Sequence, residues 1–460
     1  MSVPPSHSRA AALSAAAGLT LVLVAHFLPP LTYKDIDLQY PPLHAYWDPR
    51  FVTLTIPAVA VGLLLWLTLP LVARAVSWRT LLLVAYVTTW TWTMALAMTD
   101  GKDGLASVFA RRQEYVYDAQ RVGSIHTMMH TFIERIPLDS PHNWYVHVAG
   151  HPPGALLFFV LLDRIGVTGF FSIGLVVVTL ASTAVVAVLI TLRTLGSITL
   201  AREAMPWLVL APSAVWMGVN GDALFTAVAA WGLALLAIAA VTRHLVPAIG
   251  SGLLLGLCVY LSYGLPLLGV LAITVLIIAK SWRPLPWAIG GAMVVVAMFT
   301  AGGFSWWEAY PVLRERYYAG IASARPYSYW VWADIAAWTF TVGLAVWAAF
   351  PHAVRALRSR SDDMGDGVGE GGAEERDAER ENAMRRDHKV MAQLAAAAVL
   401  TIGLAAVSGM SKAETERIFL PFTIWVVALP LLLPTRWRSP LLLSQVVLAI
   451  GVQTLLLTRW

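Results

Sequence analysis

The sequence predicts an all-α fold, a polytopic bundle of transmembrane helices, and two observations carry that prediction. Of the 460 residues, 58% are hydrophobic and only 13% are charged, and the mean hydropathy is +0.68. Soluble domains carry about 25% charged residues. Apolar runs of about 17–25 residues also recur along the chain, and an α-helix of that length crosses the hydrocarbon core. The composition therefore excludes a soluble globular protein.

The apolar runs follow one another from end to end. They lie at about 10–28, 52–74, 80–98, 153–165, 169–192, 205–218, 221–242, 247–262, 265–280, 284–303, 330–350, 390–408, 418–434 and 440–457. The run 153–165 is apolar only to Leu162, so we interpret it as a half-helix and expect about thirteen crossings. No small-residue cleavage site follows the first run, which is expected to be retained as a helix.

Positive charge follows the expected membrane topology. The net charge is +5, and most of the Lys and Arg residues outside the polar loops lie at the ends of apolar runs. With Arg9 and no acid before the first run, the N-terminus is expected in the cytoplasm, which places 100–151 outside. The composition, rich in Ala, Val and Arg, indicates a bacterial plasma membrane. We therefore expect membrane lipids, and no nucleic acid, as partners.

The chain divides into four expected regions. Residues 1–79 form an N-terminal transmembrane hairpin, and 80–351 form a transmembrane core with an outer loop at 100–152. Residues 352–389 are charged and rich in Gly with no apolar period, so we expect a disordered cytoplasmic linker there. Residues 390–460 form the C-terminal transmembrane helices.

The outer loop begins with two carboxylates. Asp100 and Asp103 directly follow the third apolar run. A carboxylate at the membrane boundary is well placed as a general base for a hydroxyl group or as a metal ligand. Asp103 is equally explained as the N-cap of the next helix.

Two short amphipathic stretches follow in the loop, Leu105–Tyr117 and Ile125–Ile136. Their pattern of apolar residues and Arg is typical of helices that lie on the membrane with the apolar face down. His126 and His130 share a helical face with Glu134, but such a face is more often a hydrogen-bonded surface, and we predict no metal from it.

Further ionisable residues in the outer segments are candidates for a phosphate site. Arg makes bidentate contacts with phosphate, and ionisable residues at the mouth of a membrane helix are functional candidates. Pro152 and Pro153 preset the first turn of a helix and hold His151 before it. The predicted phosphate contacts are His151, Arg314, Arg316, Arg325, Lys412 and Arg417. Acids that support the acceptor or the loop are expected at Glu134, Glu308, Glu416 and Asp222, and a helix cap is the alternative explanation for Asp222.

The order of these motifs resembles the GT-C superfamily of polytopic glycosyltransferases, in particular the group related to dolichyl-phosphate-mannose protein mannosyltransferases. In that group acids follow an early helix, two surface helices come next, and a His-Pro-Pro step begins the following helix. Here the step is His151-Pro152-Pro153-Gly154, and the resemblance covers about 80–434. Asn220-Gly-Asp222 and the run from Glu416 to Phe422 are also similar. Gly154 departs from the usual Leu, and an additional hairpin, 10–74, precedes the core.

The resemblance implies transfer of a sugar from a polyprenyl-phosphate donor to a glycan, lipid or protein acceptor on the outer face. Asp100 or Asp103 would act as the base, either directly or through a divalent cation such as Mg²⁺ or Mn²⁺. Asp35, in the outer loop of the additional hairpin, is the alternative base.

Two other functions fit the same topology. A transporter or flippase of lipid-linked sugars would place charges deep inside the apolar runs, which are almost free of charge here. A non-catalytic scaffold would not require the outer carboxylates and Arg residues. Since the chain has no Walker-type or GxGxxG motif, work driven by a bound nucleotide is disfavoured.

Overall fold

Helices make up most of the chain that the structure, a computed structural model, describes; the described residues are 5–32, 36, 38–359 and 374–458. Within them, eight helices are long and apolar enough to cross a membrane, or up to nine if one bent pair counts as a single span. The structure thus confirms the all-α membrane bundle. It does not confirm the predicted count of about thirteen crossings.

Twenty-two helices and two short strands are present in the described residues. In chain order they are α1 (Pro5–Phe27), α2 (Pro29–Thr32), β1 (Ala45–Trp47), α3 (Thr55–Ala75), α4 (Trp78–Ala97), α5 (Asp103–Ala106), α6 (Tyr115–Ala119), α7 (Ile125–His130), α8 (Val146–Ala149), α9 (Pro153–Arg164), α10 (Phe170–Ala181), α11 (Thr183–Leu195), α12 (Ile198–Val209), α13 (Gly221–Thr242), α14 (Leu245–Leu261), α15 (Leu268–Ile278), α16 (Leu285–Ala301), α17 (Trp306–Ala319), α18 (Tyr327–Arg358), α19 (Glu374–Ser408), α20 (Thr415–Ile418), α21 (Leu420–Thr423), α22 (Thr435–Leu455) and β2 (Leu456–Thr458).

Two apolar runs that we expected to cross the membrane are broken instead. The run 205–218 contains the end of α12 and then a 3-10 turn. The run 418–434 consists of short turns, because Pro421 and Pro430 lack the N–H group that a continuous helix needs. Irregular backbone persists at membrane depth only where protein encloses it. Residues 420–433 are accordingly buried throughout.

Helix α9, the predicted half-helix, has 12 residues. At 1.5 Å per residue it is about 18 Å long, well short of a hydrocarbon core of about 30 Å. Its first turn lies directly against α14: a Cβ atom on Gly154 would be 2.5 Å from the carbonyl oxygen of Tyr260. Only glycine permits this approach, which explains why Gly154 stands at this position.

The N-terminal hairpin packs into the bundle. Helix α1 lies along α18, and α3 lies against α12 and α22. Strand β1 pairs antiparallel with β2 at the C-terminal end. The first outer segment is therefore held beside the end of the chain and beside the loop that follows α4.

The outer loop is more deeply enclosed than the sequence suggested. It contains four short helices, α5 to α8, where we expected two longer surface helices. Leu105, Phe109, Tyr115 and Val116 are all buried, since α5 packs on α10 and α6 packs on α9. The expectation that these apolar residues face the membrane was wrong: other helices of the protein cover them.

The expected cytoplasmic linker is largely helical in its described part. Helix α18 continues to Arg358, and α19 begins at Glu374; residues 360–373 lie outside the described residues. The helix at 374–389 is anchored by packing and polar contacts, because Asp387 is buried and accepts a hydrogen bond from Ser197. Within the expected linker, 352–358 and 374–389 thus belong to helices α18 and α19.

Candidate functional site

A cavity of about 600 Å³ lies between the outer loop, α17 and the segment that joins α19 to α20. Its surface is mostly apolar, and cations, carboxylates and imidazoles are set into it. The residues with polar side chains are His44, Arg111, Gln113, Glu114, His147, Arg316, Tyr317, Arg325, Ser411, Lys412 and Glu414. We call this space the outer-loop cavity.

Arg417 joins three elements beside the outer-loop cavity. Its guanidinium donates to the carboxylate of Asp222, at the start of α13, and to Glu414 Oε2 at 2.6 Å. Another contact, 3.3 Å long, reaches His147 Nε2 in α8. Arg417 is only 5% exposed, so its two carboxylate partners offset the cost of burying its charge.

Asp222 can face Arg417 because it does not cap its helix. The side chain of Asn220 does this by accepting a hydrogen bond from the backbone N–H of Ala223 at 3.1 Å. The capping explanation for Asp222 was therefore wrong, and its carboxylate forms a buried ion pair.

Glu114 and His147 form a second buried pair. Glu114 Oε1 lies 2.8 Å from His147 Nδ1, and the side chains are 2% and 10% exposed. The backbone N–H of His147 donates to the carbonyl of Gln113 at 3.2 Å, which fixes α8 against the residues before α6. Because the carboxylate is bound at Nδ1, the other ring nitrogen faces Arg417. A carboxylate and an imidazole held together in this way recur at sites of proton transfer.

The segment before α20 is held in an unusual backbone conformation. Ala413 and Glu414 both have positive φ, 70° and 64°. This region is unfavourable for L-residues by about 1–2 kcal/mol each. The backbone N–H of Ala413 donates to Asp334 Oδ1 at 3.2 Å, and the conformation directs Glu414 towards Arg417 and towards His44 at 3.2 Å. Strain of this kind clusters at functional sites.

Three further cations line the outer-loop cavity and are fixed by backbone carbonyls. Arg316 donates to Trp144 at 2.8 Å and to Ile136. Arg325 donates to the carbonyl of Lys412 at 2.7 Å, and Lys412 Nζ donates back to the carbonyl of Arg325 at 2.9 Å. These carbonyl contacts fix the side chains of the three cations at the wall of the cavity.

A cluster of aromatic side chains lies beneath the Glu114–His147 pair. The ring of Tyr115 stacks on Phe159 with centroids 5.1 Å apart and meets His151 edge-on at 5.7 Å. His151 Nδ1 lies 2.7 Å from the carbonyl of His147. Burial lowers the pKa of His151 to about 4, so that its imidazole is neutral at physiological pH.

Electrostatic coupling holds the cluster around Arg417 in its charged state. Burial alone would raise the pKa of Glu414, but Arg417 and His44 bring it well below its ordinary value. Burial alone would lower the pKa of Arg417, but Asp222 and Glu414 raise it. The ion pairs therefore persist across the physiological pH range.

The two predicted catalytic carboxylates lie elsewhere. Asp100, 26% exposed, pairs with Arg50 and accepts from Gln453 at 3.1 Å. Asp103 is exposed at the start of α5, where Lys102 occupies the N-cap position and no side chain caps the helix. Neither lines the outer-loop cavity. The alternative base, Asp35, lies outside the described residues.

The other predicted site residues lie either at the outer-loop cavity or on the exposed surface away from it. Arg316, Arg325 and Lys412 line the outer-loop cavity, and Arg417 lies beside it. His151 lies beneath it, and Glu416 is buried beside Arg417 in α20. Arg314, Glu134 and Glu308 are exposed and outside the lining.

Sequence reasoning missed Glu114, His147 and His44. Glu114 follows Arg111 and Arg112 in what we interpreted as the polar face of a surface helix. Burial of the apolar residues on either side of Glu114 would have indicated that it lies inside the protein, but periodicity alone does not show that burial.

The carboxylates near the outer-loop cavity are paired with basic side chains. No group of three or more His, Cys, Asp or Glu side chains in the described ranges is arranged to hold a metal ion. The carboxylates of Glu114, Glu414 and Asp222 each face a histidine or an arginine instead. The His126 and His130 rings pack together with centroids 4.3 Å apart.

The chain matches no protein-family model and no curated protein sequence. The geometry of the outer-loop cavity must therefore carry the functional argument.

Proposed function

We propose that this protein is a membrane glycosyltransferase that moves a sugar from a polyprenyl-phosphate donor to a cell-envelope acceptor. The observation that carries the proposal is the outer-loop cavity, where Arg316, Arg325 and Lys412 line a space beside a buried carboxylate–imidazole pair. Inverting sugar transfer needs those two functions: a base for the acceptor hydroxyl and positive charge for the leaving phosphate.

The cations would hold the donor phosphate. Arg316 and Arg325 present planar guanidinium groups, and Lys412 adds a point charge between the end of α19 and the start of α20. As the bond from the sugar to the phosphate breaks, negative charge grows on the phosphate oxygens. Preorganised cations stabilise that charge without moving, which favours the transition state over the bound donor.

Glu114 and His147 would act on the acceptor. The carboxylate of Glu114 would take the proton of the attacking hydroxyl, while the Nδ1–H of His147 holds that carboxylate in place. Arg417 donates to Nε2 of His147 and so favours the tautomer that has its proton on Nδ1. Asp100 and Asp103, the bases implied by family resemblance, remain the alternative assignment.

The proposal includes a location. By the positive-inside rule, the end of the bundle that carries Arg74, Arg79, Arg243 and Lys280 faces the cytoplasm. The outer-loop cavity lies at the other end of α13, so it would open towards the outer face of a bacterial plasma membrane. That is where a polyprenyl-phosphate sugar and a glycan, lipid or protein acceptor would meet.

The test uses the full-length protein in proteoliposomes with a panel of radiolabelled polyprenyl-phosphate-linked hexoses and pentoses. When the wild-type protein is incubated with cell-envelope extract, a labelled covalent product should form. Glu114→Gln should abolish it, and the exposed Glu134→Gln should not. Movement of donor across the bilayer with no covalent product from any donor would instead indicate a transporter or flippase of lipid-linked sugars.

A further inference from the structure

A second, larger cavity of about 1310 Å³ lies at the opposite end of the bundle. Its walls are the ends of α11, α13, α15 and α18 and the N-terminal part of α19. Six cations line it: Arg243, Lys280, Arg283, Arg385, Arg386 and Lys389. We call it the basic pocket.

The basic pocket contains no carboxylate among the described residues that line it. Of its cations, Arg385 pairs with Glu381 at 2.7 Å, an exposed contact outside the lining. Lys389 donates to the carbonyl of Ser359 at 3.2 Å, which joins α19 to the end of α18. Like charges gathered around one space repel each other, so the arrangement favours an anionic occupant.

The backbone at two of these cations is also unfavourable. Arg243 and Lys280 have φ of 62° and 51°, at the C-terminal ends of α13 and α15. Glycine is the usual residue there, because it adopts positive φ without strain. The chain instead places a cation at both helix ends, and both line the pocket.

The polar residues of α19 that line the pocket lie on one face of the helix. Asn382, Arg386, Lys389 and Gln393 are three or four positions apart, so that they share one face of the helix, and all four line the pocket. This face lies within, and just beyond, the charged segment that we expected to be a linker. It forms one wall of the basic pocket.

An apolar surface adjoins the cations. Val241, Ile277 and Trp282 each have about half of their surface exposed and belong to the lining. An inorganic anion would gain nothing from these side chains, whereas the acyl chains of a lipid would cover them. Exposed Trp beside Lys and Arg is typical of the level at which lipid headgroups lie.

We propose that the basic pocket binds an anionic phospholipid, with its phosphate among Lys280, Arg283 and Arg386 and its acyl chains along Val241 and Ile277. Cation clusters between transmembrane helices recognise anionic headgroups through charge and hydrogen bonds. Such a lipid would also bridge α13, α15 and α19.

The experiment uses the full-length protein in a neutral detergent, titrated with short-chain phosphatidylglycerol and followed by native mass spectrometry. Phosphatidylcholine is the uncharged-lipid comparison, and inorganic phosphate is the free-anion comparison. We expect retained phosphatidylglycerol, little phosphatidylcholine, and no displacement by millimolar phosphate. Complete displacement by phosphate, or equal retention of both lipids, would overturn the proposal.

Variants on two different walls locate the binding. Lys280→Gln with Arg283→Gln, and separately Arg386→Gln with Lys389→Gln, should each weaken phosphatidylglycerol binding by about tenfold or more. Arg74→Gln with Arg79→Gln removes two exposed cations from the same end of the bundle outside the pocket and should leave binding unchanged. If one pocket variant fails to fold, the other still decides. Wild-type affinity in a folded pocket variant, or an equal loss in the control, contradicts the assignment.

Discussion

The two cavities lie at opposite ends of the same helices, and their charged residues differ in burial and in partners. Helix α13 has Asp222 in its first turn and Arg243 just after its end, about 32 Å apart at 1.5 Å per residue. At the first end, the buried Arg417 pairs with Asp222 and Glu414; at the second, mostly exposed cations gather without carboxylates in the described lining. A charge removed from water needs a partner, whereas an exposed charge does not. The energetic cost of losing one residue should therefore differ sharply between the two ends.

Substitution of Arg417 is expected to have the largest effect on stability. Arg417→Ala leaves Asp222 and Glu414 buried beside each other without their cation, which should lower the free energy of unfolding by about 3–5 kcal/mol. Sugar transfer should be lost as well. Denaturant titration in detergent and the transfer assay measure the two effects, with the exposed Arg314→Ala as control. Wild-type stability in Arg417→Ala would contradict the buried ion pairs.

A smaller effect is expected from Arg316, which is bonded to neutral carbonyls. Arg316→Ala should raise the donor KM by about 10–100-fold, since a charge-assisted hydrogen bond contributes about 1.5–3 kcal/mol. Arg314, two residues earlier on α17 and exposed, provides the matched control, and Arg314→Ala should keep the wild-type KM. Equal donor dependence in the two variants would remove Arg316 from the phosphate site.

His151 makes the outer-loop end sensitive to acid. Its pKa is about 4 in the folded protein, below the ordinary value near 6.5. The unfolded chain therefore binds the proton first as the pH falls from about 6.5, and stability is lost until the folded state also protonates near pH 4. The expected loss between pH 7 and pH 5 is roughly 1–2 kcal/mol. Unfolding of His151→Gln across this range should show a shallower pH dependence; an identical slope would mean that His151 does not titrate in this way.

The smallest effect on stability is expected at the basic pocket. Lys280→Gln with Arg283→Gln, in detergent without added lipid, should change the free energy of unfolding by less than about 0.5 kcal/mol, because both side chains are exposed. A loss comparable to that of Arg417→Ala would show that the two ends do not differ in the way described.

The apolar runs were sufficient to predict the class of fold and most of its helices. Helices α13 and α22, for example, lie close to the predicted spans. The errors arose where burial inside the protein replaced contact with lipid. The run 418–434 is apolar enough to span a membrane, yet its prolines divide it into buried turns. Hydropathy does not distinguish these two surroundings, since lipid and protein interior are similarly apolar.

The sequence identified most of the cations of the site, but it did not show which carboxylates they contact. Arg316, Arg325, Lys412 and Arg417 were identified from their position at the ends of outer segments, and the fold brings them to one cavity. Which acids they meet depends on tertiary structure: Asp222 and Arg417 are 195 residues apart in sequence. Asp100 follows a helix, as the motif requires, but the fold pairs it with Arg50.

The central claim is that proton transfer occurs at Glu114 and His147 in the outer-loop cavity. The most direct measurement is the rate of sugar transfer by Glu114→Gln and by Asp100→Asn in parallel, at saturating donor and equal protein abundance. We predict a loss of at least about a hundredfold in Glu114→Gln, as expected for a general base, and less than about threefold in Asp100→Asn. Loss of activity in Asp100→Asn with full activity in Glu114→Gln would contradict the account and return the base to Asp100.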